Sequence, residues 1–322
     1  MKAAVVTEGA LAVREVPVPR PKPNEVLVRI RAASLNRADL GVAAGHRHGS
    51  LGGPGAIPGL EWAGEVVEAG AEVGTLRPGD RVMCSGSGGY AEYAVTDWGR
   101  AAPIPEGMSF DTATTLPLAL QTMHDAIVTQ GRLAPGESIL IQGASSGVGL
   151  MGLQIAIRCG ASAVIGTSTN PERRARLAEF GATLALDTSD PAWPEKAREA
   201  TGGKGVNVII DQVSASVANA NMQAAAVLGR IVNVGRLGGA RGEFDFDLHA
   251  LKRISYIGVT FRTRSVEEVR EINRRMRADL WEAVAAGELQ VPVDSSFPLD
   301  AVADALARMR ANRHFGKILL IP

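Results

Sequence analysis

The sequence holds only two cysteines, Cys84 and Cys159, and they stand far apart. That leaves no disulfide framework and no C-x-x-C metal knuckle, and it makes a reducing cytoplasm the expected setting. Neither sign of charge is in excess: 34 Lys and Arg balance 34 Asp and Glu, without a long basic run. Nucleic acid and anionic membranes are therefore not expected as main partners. Aromatic residues make up 4% of the chain, too few for base-stacking platforms. The opening stretch MKAAVVTEGA carries neither a long apolar run nor a leader-cleavage pattern. An uncharged run at 138–157 contains Gly143, Gly147, Gly149, Gly152 and adjacent serines, which suits a buried strand and helix better than a membrane span.

What is present is a change of pattern along the chain. At 322 residues two domains are expected, and 46% apolar with 21% charged residues is ordinary for a globular protein. Short strands are predicted at 2–6, 11–15, 25–33, 63–69, 81–84 and 88–94, with Pro17, Pro19, Pro21 and Pro23 as an extended connector. Helices are predicted at 108–114 and 122–130, with Pro117 between them. From residue 138 strands (138–142, 163–167, 184–186, 206–211, 230–234, 256–260) alternate with helices (148–159, 171–180, 193–201, 216–225). Such alternation predicts an α/β doubly wound parallel sheet. Ser265 and Glu268 form a capping-box pattern ahead of a helix, a second helix is expected at 300–311, and a last strand at 317–321. That strand has no place in the parallel sheet and is expected to return to the β-rich part. The expected division is 1–121, 122–262 and 263–322.

The chain is organised around the turn Gly143-Ala144-Ser145-Ser146-Gly147-Val148-Gly149, a variant of G-x-G-x-x-G between an apolar strand and a helix. Small residues there admit a pyrophosphate to the backbone and to the helix N-terminus. A site for NAD wants an acid about 20 residues further on, to hold the ribose 2′-hydroxyl. Here that place reads Gly166-Thr167-Ser168-Thr169-Asn170, with Arg173 and Arg174 following. Hydroxyls backed by a cation suit the 2′-phosphate of NADPH. The alternative is that Arg173, Arg174 and Arg176 are a solvated helix face.

Several stretches, taken in order, resemble one family. They are Gly59-Leu60-Glu61-Trp62-Ala63-Gly64-Glu65-Val66-Val67, Pro78-Gly79-Asp80-Arg81-Val82, Gly89-Tyr90-Ala91-Glu92-Tyr93, the glycine turn, and Gly316-Lys317-Ile318-Leu319. The chain resembles the medium-chain dehydrogenase/reductase superfamily, and within it the zinc-free quinone oxidoreductase (zeta-crystallin-like) branch. The resemblance implies a GroES-like β-rich catalytic domain, a Rossmann NADP-binding domain, and a homodimer formed through the strand near 255–260. Metal-dependent relatives hold zinc with a Cys, a His and a second Cys. Local alignment puts those positions on Asn36, Leu60 and Leu118, which cannot build that site, so no metal is expected.

By the same resemblance the cofactor contacts are Asn36, Thr122, Gly143, Ala144, Ser145, Ser146, Gly147, Val148, Gly149, Thr167, Ser168 and Arg173. They continue at the strand ends with Gln212, Val213, Val234, Gly235, Arg236, Val259, Thr260 and Phe261, and finish at Lys317. Arg173 is favoured for the phosphate because the family's lysine aligns there. Asn36 and Asp39 form the family's Asn-x-x-Asp element, with Asn36 donating to the acceptor oxygen and Asp39 orienting it. The tyrosine that many relatives place shortly afterwards is replaced by Gly45-His46-Arg47-His48-Gly49, which makes His46 and His48 candidate acids. The expected activity is NADPH-dependent hydride transfer to a small electrophilic acceptor such as a quinone. The alternatives are a 2-alkenal or enone reductase, and an NADPH-binding crystallin-like protein with little turnover.

Overall fold

The chain divides into two units, Met1–Leu118 together with Phe261–Pro322, and Ala119–Thr260, in a computed structural model that describes residues 1–7, 10–47, 49 and 52–322. In the first unit β1 (Lys2–Val6) and β2 (Leu11–Glu15) form an antiparallel hairpin. Then come β3 (Glu25–Ser34), helix α1 (Arg37–Ala43), β4 (Glu61–Ala69), β5 (Arg81–Ser85), β6 (Tyr93–Asp97), β7 (Ala101–Pro103) and helix α2 (Phe110–Ala113). In β3 buried Val28, Ile30 and Ala32 alternate with exposed Arg29 and Arg31, the period-2 pattern of a strand with one wet face. The core of this unit gathers Val28, Trp62, Tyr90, Leu306 and Leu320, all buried.

The second unit is a parallel sheet. Helix α3 (Pro117–His124) precedes β8 (Ser138–Ile141), α4 (Gly147–Arg158), β9 (Ala163–Thr167), α5 (Pro171–Ala175) and β10 (Leu184–Leu186). After these come α6 (Trp193–Glu199), β11 (Val206–Asp211), α7 (Ala218–Ala224), β12 (Ala225–Asn233), α8 (Phe246–Lys252) and β13 (Ser255–Gly258). The strand order is β10-β9-β8-β11-β12-β13, with β8 flanked by β9 and β11. Order therefore reverses at β8, the place where open α/β sheets bind ligands.

The chain then returns to the first unit with α9 (Val266–Ala285), β14 (Val293–Pro298), α10 (Val302–Arg310) and β15 (Lys317–Ile321). The capping box at Ser265 and Glu268 forms, each group bonding the other's backbone N–H. β15 lies parallel to β14 and antiparallel to β3, in a seven-stranded sheet ordered β14-β15-β3-β4-β5-β7 with β6 also on β3.

Four local expectations are corrected. The strand predicted at 88–94 starts only at Tyr93, because Gly88 takes a φ of 89° and Tyr90 turns wholly inward. The helix predicted from Thr122 begins at Pro117, whose fixed φ and missing N–H suit a first helical position. The helix predicted over 171–180 breaks after Ala175 into a 3₁₀ turn, Leu177–Phe180, closed by Gly181 at φ 98°. α8 and β14 were not predicted: α8 has no buried residue and β14 is a largely polar edge strand, so neither carries an apolar period. Among the described residues no helix is long and apolar enough to cross a membrane.

Candidate active site

In the second unit the ends of β8, β9, β11 and β12 lie side by side and are tied by uncharged groups. Thr167 donates to Gln142 Oε1 at 2.8 Å and receives the Gly143 N–H at 3.0 Å. Gln142 in turn donates to Asn221 Oδ1 at 2.7 Å, and Gln212 Nε2 donates to the Gln142 carbonyl at 3.0 Å. Gln142, Thr167 and Asn221 are buried, so a network of amides and a hydroxyl fixes the turn from below. Gly143 takes a φ of 65°, which opens the turn. A Cβ on Gly149 would stand 2.6 Å from Ala144 Cα, so only glycine lets α4 start this close to its strand. Ser146 caps α4 by accepting the Gly149 N–H at 3.0 Å. Ala144 is buried, while Gly147 and Val148 form the first turn of α4, whose leading N–H groups have no partner within the helix.

Ser145 and Ser168 share a hydrogen bond of 3.0 Å between their hydroxyls, joining the turn to the end of β9. Beyond it, Asn170 caps α5 by accepting the Arg173 N–H at 2.8 Å. The two adjacent arginines differ. Arg174 is bound to the Ser168 carbonyl and to Asp187, at 2.8 and 2.9 Å, whereas Arg173 is half-buried with its guanidinium pulled down from its ordinary value by burial. Val213 follows β11, and its N–H and that of Ser214 bond Asp211 Oδ1 at 2.8 Å each. Val234 and Gly235 follow β12; a Cβ on Gly235 would meet the Gln212 carbonyl at 2.5 Å. Arg236 is exposed, with its guanidinium on the Val234 carbonyl at 3.1 Å. Val259 is buried and Thr260 half-buried just past β13. Thr122 sits inside α3 and not at its start, so it is no N-cap.

In the first unit the site is charged. Register explains its assembly: Ser34 pairs with Glu61 on β4 and with Leu319 on β15, and running on by two residues sets Lys317 opposite Asn36. Glu61, fully buried, accepts four hydrogen bonds. Ser34 Oγ and Asn36 Nδ2 reach Oε1 at 2.6 and 2.9 Å, the Leu118 N–H reaches Oε2 at 2.8 Å, and Lys317 Nζ also binds Oε1. Lys317, 3% exposed, gives a further N–H to Asn36 Oδ1 at 2.8 Å. Lys317, which the resemblance makes a cofactor contact, is therefore engaged by Glu61 and Asn36. The Asn36 backbone N–H bonds Asp39 Oδ2 at 2.7 Å, and the same oxygen accepts the Tyr90 hydroxyl at 2.8 Å. Burial pushes the Asp39 carboxyl up to about 6, against the pull of the Asn36 N–H and the Tyr90 hydroxyl; its Oδ1 is buried without a partner. His46 is exposed after α1, and Phe261 is half-buried at the start of the returning segment. His48 lies outside the described residues.

Sequence reasoning passed over Glu61, Tyr90, Gln142 and Asn221 as site residues. A signal existed for one of them: Glu61 stands beside Trp62 at the head of a strand whose next residues, Trp62 to Gly64, are apolar, where an acid needs partners.

Known proteins carry the same two parts. The Alcohol dehydrogenase GroES-like domain matches residues 22–106, and the family described as Zinc-binding dehydrogenase matches 147–277. Quinone oxidoreductase-like protein 2 of Rattus norvegicus is 31% identical over 323 residues, covering 99% of this chain and 91% of the relative. The chain belongs to the quinone oxidoreductase branch of the medium-chain dehydrogenase/reductase superfamily. Among solved structures, the Pseudomonas syringae pv. Tomato quinone oxidoreductase is 27% identical with a TM-score of 0.87, covering 100% of both chains. A mycobacterial protein solved in complex with NADPH is 26% identical with a TM-score of 0.89, again covering 100% of both. The superfamily includes zinc enzymes, but the donor set here does not fit that metal. Leu60 and Leu118 have no side-chain donor, and the Asn36 carbonyl is held by an ammonium. Among the described residues no group of three or more His, Cys, Asp and Glu could hold an ion.

Proposed function

We propose that this member of the quinone oxidoreductase branch is a zinc-independent reductase that takes hydride from NADPH and delivers it to a quinone or a similarly electrophilic acceptor. The observation that carries the reading is the end of β9. It offers the Ser168 hydroxyl with Arg173 behind it, while the Thr167 hydroxyl holds the turn from beneath, and the acid nearby, Asp187, is neutralised by Arg174. An acid free to grip a 2′-hydroxyl is what NAD would need, and a 2′-phosphate wants the arrangement found.

When bound, NADPH supplies the hydride. The chain's part is to hold and orient. The turn from Gly143 to Gly149 takes the pyrophosphate, Arg173 the 2′-phosphate, and the backbone from Val259 to Phe261 the carboxamide, with Thr122 and Gln212 on cofactor oxygens. The Asn36 amide faces the acceptor oxygen and Asp39 fixes its loop, while His46 and His48 are the candidate proton donors. The quinone oxidoreductase relatives support the acceptor class. β13 ends the parallel sheet with one edge unpaired, which supports a homodimer through that strand.

A second reading, reduction of an enone or 2-alkenal, is favoured by a 30% identity over 92% of this chain to a segment of Highly reducing polyketide synthase 40 of Fusarium pseudograminearum, 12% of that protein. The test is NADPH against NADH oxidation at 340 nm, with a quinone and an α,β-unsaturated ketone in parallel. Quinone turnover that prefers NADPH is expected. Turnover confined to the ketone moves the assignment to alkene reduction, and tight NADPH binding without turnover leaves a binding protein.

A further inference from the structure

Glu61 and Lys317 form a buried ion pair, and burying two charges is costly. Removing an ammonium and a carboxylate from water exacts several kcal/mol per ion, and well-packed apolar residues of the same volume are often as stable. A pair kept under those terms needs another reason. The reason on offer is Asn36, held at three points: its backbone N–H by Asp39, its Nδ2 by Glu61 and its Oδ1 by Lys317. An amide is otherwise free to turn over, since its oxygen and nitrogen ends have nearly the same shape. An ammonium can only donate and a carboxylate can only accept, so this pair permits one orientation of the amide and forbids the other. Two of the three N–H groups of Lys317 go to Glu61 and Asn36. The second Asn36 Nδ2 proton has only the Ser34 carbonyl, at 3.4 Å, a distance too long for a strong bond. That proton is therefore the one an acceptor oxygen can take.

We propose that Glu61 and Lys317 are positioning residues which set the Asn36 amide so that one N–H is presented to the acceptor oxygen. This rests on the reading of Asn36 as the donor to the acceptor. It also takes Lys317 away from the cofactor: the ammonium acts on the protein's own amide, at the place where zinc relatives keep their metal ligands.

The test uses three variants of the full chain, Lys317→Arg, Glu61→Gln and the double variant Glu61→Gln/Lys317→Met. The double variant removes both charges together and so avoids leaving one buried alone. NADPH affinity is followed by its fluorescence, folding by thermal melting, and turnover with the acceptor that wild type reduces. For the double variant the expected result is a melting midpoint within a few degrees of wild type, NADPH affinity within twofold, and kcat lowered at least tenfold. Lys317→Arg, which keeps the donor, is expected to recover most of the loss. Unchanged kcat in the folded double variant would overturn the proposal, and so would weakened NADPH binding with kcat intact, which would make Lys317 a cofactor contact.

If wild type reduces no acceptor, the activity reading fails first, and the positioning is decided by NMR. The Asn36 side-chain NH₂ signals, assigned by their loss in Asn36→Asp, should be shifted and protected from exchange in wild type. They should collapse to solvent-like values in the double variant. Indifference of those signals to the double substitution would sink the proposal on its own.

Discussion

At the turn from Gly143 to Gly149 the contacts are made by backbone groups and uncharged side chains; around Asn36 they are made by an acid, a second acid and an ammonium, drawn from positions as distant as Glu61 and Lys317, 256 residues apart. The first arrangement suits a ligand that brings its own charge, since a pyrophosphate meets N–H groups and a helix terminus without competition. The second suits a neutral acceptor, which brings no charge and needs a donor fixed in advance. Shape does the selecting at one site, and placed charge at the other.

Steric change should therefore dominate at the turn. Gly149→Val would drive a branched side chain into Ala144 and the Gly143 carbonyl, 2.6 and 2.7 Å from the Cβ position. Nucleotide affinity is expected to fall at least a hundredfold, with roughly 1–3 kcal/mol of stability lost, read by fluorescence titration and melting. Equal affinity in that variant would remove the turn from the cofactor site. A smaller effect tests the arginine beside the end of β9. Arg173→Ala should raise the KM for NADPH about tenfold, near 1.4 kcal/mol, and leave that for NADH unchanged, so the NADPH preference narrows. If both cofactors weaken alike, Arg173 supports the loop and reads no phosphate.

The last test belongs to the first unit and to pH. Asp39 holds its proton up to about pH 6 in the folded chain, above the 3.8 of a free aspartate. The folded state thus binds that proton more tightly than the unfolded one. Its contribution to stability is full below about pH 4 and is lost as pH rises through 6, a swing of at most about 3 kcal/mol. Asp39→Asn should melt about 2 °C above wild type at pH 7.5, not above it at pH 4, and show a flatter profile between. A profile as steep as that of wild type would assign the pH dependence to another group.

What was legible in the sequence follows the same contrast. The glycine turn, β9, β10 and β11 could be read because their causes are local: runs of apolar residues, a helix cap, small residues at fixed spacing. The hydroxyls of Thr167 and Ser168 were found by counting from the turn. Nothing local announces that Glu61 meets Lys317, since that contact depends on the register of β3, β4 and β15. Lys317 by itself reads as one more surface lysine, and Tyr90 as part of a strand that does not form there. α8 stayed hidden because a helix with no buried face leaves no periodic mark.

The pairing of β15 with β3 also sets a timetable for synthesis. Ser34 and Glu61 leave the ribosome early, yet their partners at Leu319 and Lys317 follow only after all of Ala119–Thr260 has been made. The parallel sheet can fold from contiguous chain while the β-rich unit waits, its Glu61 carboxylate without its counter-ion. During translation the nascent protein is thus expected to acquire its parallel-sheet unit before the Glu61–Lys317 pair can close, and its exposed β3 edge during that wait is where a chaperone would be needed most.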